Sequence, residues 1–134
     1  MKISTVAKSA GVGIETVRFY ERRKLIEQPL KPRDGGIRSY PYEMVVRIKF
    51  IRRAQELGFS LKEVTELLSL QTDPESDCSD VRTRAVIKHQ EVIDKIDQLK
   101  AIKSALERVI GSCTGSGSAT CCSILDELEK GAKK

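Results

Sequence analysis

Four cysteines carry the chemistry open to this chain: Cys78, and then Cys113, Cys121 and Cys122 after a long interval. Three thiolates with no imidazole close by in sequence select a soft ion. Hg(II), Cu(I), Cd(II), Pb(II) and Zn(II) all qualify, whereas Mg and Ca do not. Structural zinc prefers four ligands, often in C-x₂₋₄-C pairs, and no such pair is present. Two of the cysteines fall at expected helix starts. Asp77 or Ser76 is placed to cap a long helix that begins at Cys78, and Thr120 to cap a short last helix, CCSILDELEKG, closing at Gly131. The positive end of a helix dipole favours thiolate over thiol, so Cys78 and Cys122 are prepared ligands, with Cys113 adaptable in the loop between. The commoner fate of an intracellular cysteine is burial as a small hydrophobe, and that is our reading of Cys121. It suits the other three poorly, because they sit at helix ends and off the apolar seam.

The element that must position these groups is the segment 78–110, which contains no Gly and no Pro. As one helix it places Cys78 and Cys113 about 50 Å apart at 1.5 Å per residue, too far to share a site in one chain. Two such helices packed antiparallel would bring the head of one beside the tail of the other. Ala85, His89, Val92, Ile96, Leu99, Lys103, Leu106 and Ile110 follow the alternating spacing of a coiled-coil seam, widened by Ile93, Ile102 and Val109. A long helix without aromatics gains its stability from packing an amphipathic face, and a second copy supplies it. His89, the single histidine, is read as part of that packing and not as a ligand.

The rest of the chain reads as a basic head. All six aromatics precede residue 60, and residues 1–70 hold 14 Lys and Arg against 8 Asp and Glu, net +6. Residues 71–134 hold 10 against 11, net −1. Such a basic half is the footprint of phosphate binding. Ile3, Val6, Ala7 and Ala10 form one apolar stripe, Gly11-Val12-Gly13 breaks it, and Ile14, Val17 and Tyr20 resume it on a second helix crowded with Arg18, Arg22, Arg23 and Lys24. This pattern predicts a helix-turn-helix. Residues 25–42 carry three prolines and Asp34-Gly35-Gly36, predicting a small wing built on a hairpin turn, with Lys31, Arg33 and Arg38 in reach of phosphates. Helices follow over 43–57, ended by Gly58, and over about 61–70, opened by a Ser60/Glu63 capping box.

The fold class is therefore mainly α: a winged helix-turn-helix DNA-binding domain (1–70), a connector (71–77), a long antiparallel coiled-coil dimerisation helix (78–110), and a short metal-binding loop and helix (111–134). No apolar run approaches a membrane span, and the start lacks a secretion signal's apolar core, so a cytoplasmic protein with no membrane partner is expected. No Ser/His/Asp set, Gly-rich phosphate loop or paired-carboxylate constellation is present, which argues against an enzyme. A reactive-thiol redox protein would want C-x-x-C, which is missing. A thiol-based metal-sequestering protein is the alternative outside regulation.

The segments VAKSAGVGIETVRFYERRKLI, GGIRSY and RIKFIRRAQELGFSLKEVTELL, with the long helix behind them, resemble the MerR family of transcriptional regulators over nearly the whole chain. The resemblance implies a homodimer on promoter DNA that represses or activates transcription and acts on RNA polymerase at the same promoter. Metal binding would twist and bend the DNA so that the polymerase engages both its elements. Thr16, Arg18, Tyr20 and Arg23 around the recognition helix, and Arg38 and Tyr40 in the wing, correspond to DNA-contacting positions. A cysteine at the head of the long helix, here Cys78, marks members that respond to divalent ions. Mercury-responsive members join it to two cysteines of the other subunit, matching Cys113 and Cys122, so Hg(II) is the implied inducer. The tail CSILDELEKGA looks like that of zinc-responsive members, yet their extra loop cysteine is here Ser112. Pb(II), Cd(II) and Zn(II) stand as the alternatives.

Overall fold

The computed structural model describes residues 1–132, apart from the side chains at positions 121, 131 and 132. Helices α1 (Ile3–Ala10) and α2 (Ile14–Arg22) are separated where the apolar stripe breaks. Gly11 takes φ 74°, left-handed backbone that glycine adopts without a Cβ penalty, and its N–H donates to the Lys8 carbonyl at 3.1 Å. The Arg52 guanidinium donates to the Gly11 carbonyl at 2.9 Å, tying this turn to α3 (Tyr42–Glu56).

Helix α4 (Leu61–Thr72) opens on a reciprocal cap, in which Ser60 Oγ accepts from the Glu63 N–H at 3.2 Å and the Glu63 carboxylate accepts from the Ser60 N–H at 2.8 Å. Helix α1 packs on α2 and α3, and α3 packs on α4. Their apolar faces meet in one core, in which Val6, Val17, Val45, Ile48, Ile51 and Val64 are fully buried.

The wing is less regular than its hairpin chemistry predicts. Gly35 does turn the chain at φ 79°, its N–H donating to the Pro32 carbonyl at 3.0 Å, but no strand forms among the described residues. Pro29, Pro32 and Pro41 remove the N–H groups that a ladder needs. The segment is held instead where the Tyr40 N–H donates to the Met1 carbonyl at 2.7 Å.

Helix α5 runs over Cys78–Gly111, 34 residues, and buries none of them. A short 3₁₀ turn (Ala119–Cys121) then leads into α6 (Ser123–Ala132). The chain divides into two units, Met1–Ala85 and Val86–Lys134, so the first two turns of α5 belong with the helix-turn-helix. Among the described residues no helix is long and apolar enough to cross a membrane.

Candidate metal centre and nucleic-acid interface

The thiols of the second unit are positioned by the serines beside them. Ser112 Oγ donates to Ser123 Oγ at 3.2 Å, and Ser123 Oγ donates to the Ser112 carbonyl at 3.0 Å. These bonds close the loop between α5 and α6 at its base, so the adjoining Cys113 and Cys122 come near each other across it. The loop turns on Gly115 at φ 79° and Gly117 at φ 104°, and it encloses a hollow of about 380 Å³ with both cysteines in its lining. The Gly115 N–H donates to Cys113 Sγ at 3.4 Å.

Cys122, and not Thr120, occupies the cap of the last helix. Thr120 lies within the 3₁₀ turn, and the first helical backbone bond runs from the Asp126 N–H to the Cys122 carbonyl at 3.1 Å. The Cys122 sulfur takes the place of a capping oxygen. Backbone N–H groups of Leu125 and Ile124 donate to it and hold its pKa below the ordinary thiol value; slight desolvation opposes them, the Cys113 thiol adds to them, and Asp126 opposes. The site thus offers two soft donors side by side, one already biased to thiolate.

Cys78 opens α5 in the other unit, exposed to solvent. Its helix is capped by Asp77: the carboxylate accepts from the Ser79 N–H at 2.8 Å, and Asp80 accepts from the Asp77 N–H at 2.9 Å. Hydrogen bonds from Ser79 hold the Asp77 carboxyl below its ordinary pKa. Among the described residues, no three of His, Cys, Asp and Glu gather within one chain. His89 is exposed on α5, and Cys121, read above as a small hydrophobe, has its side chain outside the described residues.

The clamp formed by Ser112 and Ser123 was not among the residues picked out by type. Its signal is the mirrored order Ser-Cys at one end of the loop and Cys-Ser at the other.

On the first unit, a hollow of about 380 Å³ lies between α2 and the wing, with Arg18, Lys31 and Arg38 in its lining. Glu21 is the acidic member, and both its carboxylate oxygens accept from the Tyr40 hydroxyl at 3.2 Å. Arg38 leaves its buried Nε without a partner. Three cations and an unsatisfied N–H form a seat for an anion, with phosphate geometry well matched to guanidinium forks. Arg18 is exposed and pairs loosely with Glu15 at 3.4 Å, while Thr16 is half-buried. The Arg22 and Arg23 guanidiniums each stand 6.0 Å from the centre of the Phe19 ring, which steadies them at the C-terminal end of α2.

Tyr20 and Tyr40, which the resemblance gives as DNA-contacting positions, present little of their rings to solvent. They are 3% and 4% exposed, core members whose hydroxyls donate to Gln55 at 2.9 Å and to Glu21. Burial pushes both phenols above their ordinary pKa. The rings seat α2 and the wing on α3 and α2, and so fix the arginines around them.

Two family models match the chain: MerR HTH family regulatory protein over residues 1–71, and MerR, DNA binding over residues 45–109. The HTH-type transcriptional regulator ZntR of Escherichia coli (strain K12) is 38% identical over 133 residues, covering 98% of this chain and 94% of that protein. A mercuric resistance operon regulatory protein of Shigella flexneri is 37% identical over 129 residues, covering 96% and 88%. Among solved structures, a Ralstonia metallidurans transcription regulator in complex with lead(II) superposes with a TM-score of 0.82 at 31% identity, covering 96% of this chain and 98% of that one.

Proposed function

Because the chain belongs to the MerR family of helix-turn-helix regulators, we propose that it is a metal-responsive transcription regulator that works as a homodimer on promoter DNA and takes Hg(II) as its inducer. The observation that carries this reading is the clamped pair Cys113 and Cys122, with Cys122 poised as thiolate by the start of α6. Two thiolates held together leave room for one more soft donor, and Cys78 of the partner subunit completes a three-sulfur set if α5 packs antiparallel on its copy. Such a set suits Hg(II), which is satisfied by few thiolates, better than zinc in a closed four-ligand site.

On the DNA side, Arg18, Arg23 and Arg38 contact phosphates and Thr16 lies close to them at the start of the recognition helix, with Tyr20 and Tyr40 holding this surface in place. Phosphate contacts fix register and orientation without reading bases. Metal then shifts the dimer between two states that deform the promoter spacer differently, and RNA polymerase engages the promoter in one of them.

Pb(II), Cd(II) or Zn(II) as inducer is the second reading, supported by the likeness to ZntR and to the lead-bound regulator. Transcription from the cognate promoter, titrated with Hg, Pb, Cd, Zn and Cu salts, separates the two. Half-maximal induction at the lowest free metal concentration is expected for Hg(II); an ion that induces below it takes its place. A sequestering protein would bind metal yet protect no operator.

A further inference from the structure

The head of α5 is not close-packed on the helices beneath it. Val81 and Ala85 share with Phe50, Phe59 and Leu67 the lining of an open apolar hollow of about 710 Å³, so the side chains of the α5 head do not fill the groove beside α3 and α4. What does join the head to α4 is an ion pair in which Arg84 Nη1 donates to Glu66 Oε2. Glu66 lies midway along α4, whose Val64, Leu67 and Leu68 are buried in the core, so its position is fixed by the DNA-binding unit. Arg84 lies two turns along α5 from Cys78, on the stretch that clusters with that unit. A rigid anchor thus grips a loosely seated helix head that carries a metal-binding thiol.

We propose that the Glu66–Arg84 pair is a positioning device that selects how the α5 head seats on α4, and that metal capture at Cys78 acts on DNA through this seat. The inference rests on the regulator reading above. Small shifts of a helix across an interface become a switch when two packings are close in energy, and the hollow beside Val81 gives the head room for a second packing. A half-exposed ion pair contributes little to overall stability, so its removal should change the choice between packings and leave the fold intact.

The test is a charge-swap cycle in the full-length protein: Glu66→Arg, Arg84→Glu and the two combined. Each is assayed for promoter affinity without metal, thermal midpoint, and transcription with and without Hg(II). Each single reversal should change the ratio of metal-induced to metal-free transcription by about fivefold, the scale of a modest coupling energy, with promoter affinity and midpoint little altered. The swapped double variant should recover the wild-type ratio, since it restores the pair with its partners exchanged. Single variants that keep the wild-type ratio overturn the proposal. So does a double variant no better than either single, because the residues then act separately. A wild-type protein that binds its promoter but responds to none of the metals overturns the regulator reading, and this proposal with it.

Discussion

At the scale of the residue, the places of the cysteines were legible, with Cys78 at the head of α5 and Cys122 at the start of α6. The way Cys122 is held was not. A capping residue is sought among Ser, Thr, Asp and Asn, whose oxygens accept well, so Thr120 was the natural choice; the structure uses sulfur two residues later. The hydroxyl partners of the two tyrosines were not legible either, since nothing in their spacing marks Gln55 or Glu21 as the acceptor.

The lowered pKa of Cys122 has a sign that can be followed. Its thiolate is favoured more by the fold than by the unfolded chain, so its contribution to stability is complete above the ordinary thiol value and is lost as pH falls through the lowered one. Carboxymethylation of Cys122, followed by peptide mass spectrometry against pH, should therefore have its midpoint below that of the same cysteine in urea-unfolded protein. Coincident midpoints would show that the Leu125 and Ile124 N–H groups do not hold the sulfur.

At the scale of the element, periodicity and punctuation located the helices well. The expected 43–57 and 78–110 stand against the observed Tyr42–Glu56 and Cys78–Gly111, because Gly, Pro and capping residues act locally and leave their mark in sequence. The wing was harder to read. Turn chemistry at Asp34-Gly35 is local, but whether its flanks pair depends on donors that the prolines had already removed.

The Ser60 cap offers a clean measure of one local device. Ser60→Ala should cost about 1 kcal/mol, read as a lower thermal midpoint, with Ser60→Asp retaining most of it. Helix α5 offers the opposite case, an element that buries none of its residues: Ile96, Leu99 and Ile102 are exposed along it. A Leu99→Glu protein should sediment as a monomer at concentrations where the wild type is a dimer. An unchanged mass would remove the α5 seam as the dimer contact.

At the scale of the whole molecule, the two units divide the work that the sequence already separates by charge. The basic half folds as the helix-turn-helix with its cation-lined hollow, and the loop with Cys113 and Cys122 lies in the other unit. Within the first unit, the seat of the α5 head on α4 was not legible, because the Glu66–Arg84 contact and the hollow beside it join residues whose spacing carries no motif.

The assignment of a metal site to two subunits makes a prediction that no single chain can fulfil. Proteins carrying Cys78→Ser and Cys113→Ser should each fail to respond to Hg(II) alone. Mixed dimers should regain about half the metal stoichiometry, since one of the two sites can still gather three thiolates while the other loses two. Mixed dimers that bind no metal would place all three ligands within one subunit.

A helix of 34 residues that buries none of them also has a genetic reading. If each copy must borrow a neighbour to cover that strip, a damaged head does not stay with the chain that carries it. A variant with Arg18→Glu and an intact α5 would be drawn into dimers as readily as the wild type. Random pairing at equal expression would leave about a quarter of the dimers with two sound heads. Loss of DNA binding would then be dominant, whereas loss of the seam would be recessive, because a chain that cannot pair cannot poison its partner.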